Sequence, residues 1–346
     1  MGELNYLRYS DSIEQIHPNE AELTELIVAS MGRVNRKMFD KYRHAIRDAH
    51  AKSHGVLRGE LEVYPNLPQH LRQGIFAAET RYPVIVRLST HPGDLQSDRI
   101  PALYGMAVKV LGVTGNKVLS EDASHNQDFL LNNIPIIPFG HVASYWALQQ
   151  IAEKLAESSS TVQPATEGQS DAAPTMPYYH ILGETFHSMA ALRFGSYVAK
   201  ISAAPFSDSV RALTGAPVPD TDSAVRDLVV EFFSSNSAEY ELRAQLLTDV
   251  QQMPVEDASV LWPENLSPHQ PIGKLTFPAQ DPYSPERRVY ADDVLSFNPW
   301  HCIEEHRPLG SIMRIRVKAY EMSSSFRHEM NAQSRLEPKD ISELPL

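Results

Sequence analysis

The feature that most constrains this chain is a series of apolar, β-branched runs of strand length, each bounded by Gly, Pro or Asp. GVLRGELEVY (55–64) nearly alternates, and YPVIVRLST (82–90), YGMAVKVLGV (104–113) and DFLLNNIPII (128–137) follow. YVAKISAAPF (197–206), EYELRAQLLT (239–248), PIGKLTFP (271–278) and RRVYADDVLSF (287–297) complete the series. Runs of this kind read as strands. No helix alternates regularly between these eight runs, and no internal repeat is visible. A doubly wound parallel sheet needs such helices. The pattern therefore predicts an α+β fold: a closed or nearly closed antiparallel eight-stranded β-barrel with surrounding helices.

The helical signals lie outside these runs. Residues 19–50 read as helix, with Asn19 as N-cap and Glu20 and Glu22 in the first turn, where acids suit the dipole. Leu23, Leu26, Ile27 and Met31 recur at helical spacing, and a second helical run covers 33–49. Residues 140–158 and 222–235 also read as helix. The last strong helix runs from about Ser311 to Ala332, with Pro308 and Gly310 just before it. Residues 158–177 are rich in Ser, Thr, Gln, Ala and Pro. They read as a flexible surface loop, an insertion in one domain or a linker between two.

Composition narrows the function. With 31 Lys plus Arg against 43 Asp plus Glu, the 346-residue chain carries a formal charge of −12. That argues against nucleic acid and anionic lipid as partners. One cysteine, Cys302, excludes an intrachain disulfide, thiolate zinc clusters and Fe–S ligation. The N-terminus shows no signal peptide and no run approaches a membrane span, so a cytoplasmic location is expected.

Four clusters carry chemistry. On the last helix, Ile312, Ile315, Ala319, Met322, Phe326 and Met330 share a face, and Arg316, Tyr320 and Arg327 form a polar line beside it. A guanidinium one turn from Tyr320 favours the phenolate, and a tyrosinate is a haem iron ligand type. The competing reading is two surface arginines around a half-buried tyrosine. In RDAHAKSH, His50 and His54 stand at i, i+4, as helix-end histidines or as a metal pair. Arg87 sits inside an apolar strand, so it needs an anion: a buried Asp or Glu, or a ligand carboxylate. Asn132 and Asn133 interrupt another strand, as a turn or for a function.

In this order the clusters resemble the catalases. RDAHAK resembles the segment around that family's distal histidine, and YPVIVRLSTHPGD its VRFST-type strand. YGMAVKV resembles the GFAVKF-type strand, DFLLNNIPI the GNNTPI-type segment, and RIRVKAY supplies an RxxxY. VEDASVLWPENLSPHQPIGKL is also similar to the stretch before the family's last core helix. The resemblance covers about residues 40–330, and the tail PWHCIEEHRPLGSIMRIRVKAY looks closer to small bacterial catalase-like haem proteins.

The resemblance implies a single catalase-like haem domain over 1–346, with residues 1–40 an N-terminal arm and helix. It implies haem b as cofactor, with Tyr320 on the iron and Arg316 holding it ionised. His50 would be the distal acid–base residue and Asn132 would orient peroxide, with Asn133 as the alternative register. Ser89 would orient His50, and Arg47, Arg87 and Arg327 would bind the haem propionates. Ile137 and Tyr145 fall near positions lining the pocket. The activity implied is breakdown of hydrogen peroxide or small organic peroxides, as catalase or as peroxidase with an organic electron donor. The alternatives are conversion of fatty-acid hydroperoxides, non-catalytic haem binding and, remotely, a zinc hydrolase built on His50 and His54. Ala49, Ser53 and His54 depart from the family pattern, and the loop needs a one-residue insertion. No NADPH site is expected, and the partners expected are peroxide and at most a second copy of the chain in a homodimer.

Overall fold

The computed structural model describes residues 5–158 and 178–346. The segment 159–177, read as loop, lies outside the described residues, and Ser158 is the last residue of a helix. In chain order the larger elements are α1 (Glu20–Tyr42), β1 (Lys52–Val63), β2 (Arg81–Thr90), β3 (Tyr104–Leu111), β4 (Asn126–Asn132) and α2 (Val142–Ser158). Then come β5 (Phe186–His187), β6 (Leu192–Phe194), β7 (Tyr197–Pro205), α3 (Asp208–Arg211), α4 (Ala224–Phe233), β8 (Ala238–Leu246) and β9 (Gln270–Phe277). The chain ends with α5 (Pro285–Val289) and α6 (Ser311–Met330). No helix among the described residues is long and apolar enough to cross a membrane.

The sheet is a closed antiparallel ring of eight strands, β1–β2–β3–β4–β5–β7–β8–β9 and back to β1. Closure runs through β5, which pairs with β4 at Asn132↔His187 and with β7 at Phe186↔Ala203. The short β6 pairs with β7 outside the ring.

Alternation decides which residues fill the barrel. Val84, Val86 and Leu88, then Met106, Val108 and Val110, then Phe129 and Leu131 join the central apolar cluster. The intervening residues, among them Arg87, Ser89, Gly105, Ala107, Lys109, Asp128 and Asn132, therefore face outward. On this outer face Lys109 forms a fully buried ion pair with Asp128 at 2.9 Å. Helices α1, α2 and α6 pack on one another. Arg314 ties α6 to the N-terminal segment and to the 250s loop, bonding Glu14 at 2.5 Å, Glu20 at 2.6 Å and Glu256 at 2.8 Å.

Two expectations are corrected. Residues 287–297 are not a strand: α5 starts there behind Ser284, whose hydroxyl accepts from the Arg287 N–H, with Pro285 in the first turn. A π-helical turn, Tyr290–Val294, continues it. The Ser-Pro start is a helix signal that outweighs the β-branched composition. The eighth strand is instead β5, which at two residues has no periodicity to detect. The helix expected over 33–49 also stops early. It is continuous with α1 and ends at Tyr42, where Arg43 turns left-handed at φ 53°. Asn19 holds the N-cap position without a side-chain bond.

Several histidines are buried uncharged. His306 lies among Phe76, Phe129 and Phe194, with ring centroids 5.6–5.9 Å away. Burial pushes it down to about 3, and its Nε2 accepts the Ile75 N–H at 3.1 Å. Such a histidine takes a proton only in the unfolded chain between its two pKa values. Its stabilisation is therefore complete above about pH 6.5 and shrinks as pH falls. His306 should contribute a loss of about 1.4 kcal/mol per pH unit below that point. Thermal melts followed by circular dichroism should give a midpoint that drops from pH 7 to pH 5; a flat profile contradicts the burial of neutral histidine.

Candidate active site

The outer face of the barrel carries one polar row. The register runs Ser89↔Gly105 between β2 and β3, and Gly105↔Asn132 between β3 and β4. The three residues are thus neighbours by strand pairing alone. His50 comes from the irregular segment between α1 and β1, held left-handed at φ 53°. Histidine tolerates that conformation better than branched residues do. Its ring rests on Gly105: a methyl group there would lie 2.7 Å from His50 Nδ1 and 3.0 Å from Ser89 Oγ. Gly105 leaves the space in which His50 meets Ser89. The Asn132 side chain lies near enough to the His50 ring to favour its protonated form. Burial holds His50 well below its usual pKa, and His91, Arg87 and Arg316 push in the same direction. His50 Nδ1 is buried with no hydrogen-bond partner.

Beside this row three guanidiniums converge. Arg87 projects from β2 opposite Ala107, whose small side chain leaves room, and donates to the carbonyl oxygens of His50 and Ala51 at 3.0 and 3.1 Å. Arg47 donates to Ala291 and Leu295 carbonyl oxygens, both at 2.7 Å. Arg327, from α6, donates to the carbonyl oxygens of Asp292 and Leu295. Burial and then mutual repulsion lower Arg87 to about 9 and Arg327 to about 8. The nearest carboxylate is Asp292, 3.5 Å from Arg47 and 3.7 Å from Arg87. Its side chain is 36% exposed, and Asp293 adds a weaker attraction on Arg47 and Arg327. Arg87 thus has the Asp partner of one sequence reading, and Arg87 Nε still lacks a partner.

Helix α6 also brings Tyr320 and Arg316 here. The Arg316 guanidinium carbon lies over the Tyr320 ring, 5.9 Å from its centroid, rather than on the oxygen. Burial raises the Tyr320 phenol above its ordinary pKa; Arg316 pulls it down as expected but is outweighed, and Asp48 adds to the rise. Ser323 donates to Asp48 at 2.8 Å. Ile137 and Tyr145 pack in the apolar cluster shared with Ile312, Ile315 and Ala319. Burial and then the Asp48 charge push Tyr145 up to about 12, with Tyr320 adding to the rise. Arg47, Asp48, His50, Tyr145 and Tyr320 all lie deep in the protein yet stay partly accessible to solvent. They line an internal recess between the barrel wall and the helices.

The structure separates the sequence alternatives. Asn132 reaches His50, whereas Asn133 accepts the Tyr104 N–H at 2.9 Å and donates to Glu184 at 3.4 Å. His54 is the extra residue of a β-bulge, since Ser53 pairs with Ser89 and Gly55 with Leu88. His54 is fully buried, with Nε2 2.9 Å from Thr90 Oγ1, apart from His50. No group of three or more His, Cys, Asp or Glu among the described residues is placed to hold a metal, which leaves the zinc alternative unsupported. Sequence reasoning missed Asp48, Asp292 and His91. Only His-Pro-Gly-Asp, a turn signature after β2, hinted at the last.

The recess fits a haem. Three buried guanidiniums short of counter-charge suit two carboxylates, a phenol faces the cavity from the helices, and an imidazole with an amide faces it from the barrel. Gly105→Ala should disturb this wall without opening the barrel: the His50 ring must shift. Its imidazole NMR signals should move while the far-ultraviolet circular dichroism stays native, with about 1–3 kcal/mol lost in stability. Unmoved His50 signals would sink the contact.

No protein-family model matches the chain, and no curated protein does. Solved structures do. A fungal catalase superposes with a TM-score of 0.60 at 17% identity, over 86% of this chain and 64% of that one. Catalase A from Saccharomyces cerevisiae gives 0.58 at 14% identity, over 86% of this chain and 66% of that one. The chain therefore spans about two thirds of the length of these catalases. What the match shows is the fold: an eight-stranded barrel wrapped by helices, of the catalase type.

Proposed function

We propose that the chain is a haem-dependent enzyme that breaks down hydrogen peroxide or small organic peroxides, of the catalase or peroxidase kind. The observation that carries this reading is the Arg47–Arg87–Arg327 cluster at the recess that also holds His50, Asn132 and Tyr320. A carrier needs the arginines and the tyrosine. It does not need a histidine held neutral by burial with an asparagine beside it.

In this reading the arginines would bind the propionates of haem b, and Tyr320 would be the iron ligand with Arg316 beside it. The bound haem supplies the iron chemistry that splits the O–O bond. The chain does the rest. Burial keeps His50 unprotonated at neutral pH, so its ring is ready to accept a proton from peroxide. The Asn132 amide favours the protonated ring, so it would steady the charge that appears there. The same amide is placed to orient a peroxide oxygen. Ser89 backs the ring on its Nδ1 side across Gly105. Ile137 and Tyr145 help wall the recess from bulk water.

Purified protein supplied with haem should show a Soret band, and Tyr320→Phe should weaken haem binding at least tenfold. His50→Ala should keep the haem and lose about 10²–10⁴-fold in peroxide turnover. Oxygen evolution, donor oxidation and lipid-hydroperoxide conversion, measured side by side, assign the branch. A colourless protein rejects the reading, and a haem-bound protein equally active without His50 rejects the role given to that residue.

A further inference from the structure

One further polar group reaches the recess. β2 ends one residue before His91, whose ring meets the His50 ring edge-to-face at 5.6 Å between centroids. His91 is exposed to solvent, and its ring contact with His50 sets it at the edge of the recess. Among the described residues its imidazole makes no hydrogen bond. Its backbone, by contrast, is firmly held. The His91 N–H bonds the Leu103 carbonyl at 2.9 Å, and the Pro92 carbonyl accepts from Ala51 at 3.1 Å, one residue past His50. Gly93 lies so close to the Asp48 carbonyl that a methyl group there would stand 1.9 Å from its oxygen. The turn after β2 is thus pressed onto the segment that carries His50, and the two imidazoles are set against each other from both sides.

From this we propose that His91 is a specificity-determining residue: its unpaired imidazole hydrogen-bonds the substrate and selects hydrogen peroxide and small polar peroxides over peroxides with long apolar chains. The inference rests on the peroxide reading above and names the substrate class within it. The physical reason is the cost of covering an imidazole with hydrocarbon. A polar peroxide gives the ring nitrogens a partner, whereas an alkyl chain against His91 strips its water and returns nothing. A site with an unsatisfied polar group discriminates strongly against the analogue that leaves it unsatisfied.

The test uses haem-loaded protein with His91→Val, which removes the polar group, and His91→Gln, which keeps one. Two ratios are read: kcat/KM for hydrogen peroxide against cumene hydroperoxide, and the affinity for azide against 4-phenylimidazole from the Soret shift. His91→Val should lower both ratios by about fivefold, the size of one lost hydrogen bond, and His91→Gln should hold them near the native values. Ratios unchanged in His91→Val overturn the proposal. Equal shifts in both variants overturn it too, since space rather than hydrogen bonding would then be selecting. If the protein binds haem but turns over no peroxide, the functional reading fails while the azide and 4-phenylimidazole ratio still decides the role of His91. Absence of a Soret band overturns both.

Discussion

The site depends on the cross-strand register of β2, β3 and β4. Each strand sends alternate residues inward to fill the barrel, so a single shift by one residue would bury Ser89 and Asn132 in the apolar interior and expel Leu88 and Leu131. The apolar core therefore fixes the polar row as firmly as it fixes itself. Gly105 stands between Ser89 and Asn132 because only an absent side chain admits the His50 ring there. The barrel is the rigid element on which a residue from an irregular segment is aligned.

Arg87 links that row to the rest of the recess. By donating to the His50 and Ala51 carbonyl oxygens, it pins the left-handed segment between α1 and β1 onto β2. Its charge then belongs to a cluster that the chain does not neutralise. Arg47 and Arg327 are held by carbonyl oxygens at the end of the helical stretch 285–294, and Asp292 offers the nearest full negative charge. Three guanidiniums depressed by burial and by one another describe a site preorganised for an anionic group. His50, beside this cluster, is held well below its ordinary pKa by burial, and Arg87 adds to that.

Much of this was legible in the sequence. Seven of the barrel strands announce themselves as apolar runs bounded by turn residues, and α6 as a long amphipathic stretch. Arg87 stood out as a charge among β-branched residues, and the asparagine pair as an interruption of a strand. What failed did so for local reasons. RRVYADDVLSF has strand composition but a helix start just before it, and Phe186–His187 is too short to carry a period. The downward pull of Arg316 on Tyr320 was foreseen from one helix turn, but the opposing burial and the Asp48 charge come from elsewhere in the chain.

By itself the sequence determined seven of the eight barrel strands, the last helix, the line Arg316–Tyr320–Arg327 and the resemblance from which roles for these residues are proposed. Those are properties of neighbours along the chain, set by periods of two and of 3.6 residues. Only the tertiary structure decided which asparagine meets His50, that His54 is turned aside by a bulge, and that His91 stands beside the candidate acid–base residue. It also decided that Arg47, Arg87 and Arg327, up to 280 positions apart, share one patch. These are consequences of strand pairing and of close backbone approaches at glycine, which bring distant residues together and leave no periodic mark in the sequence.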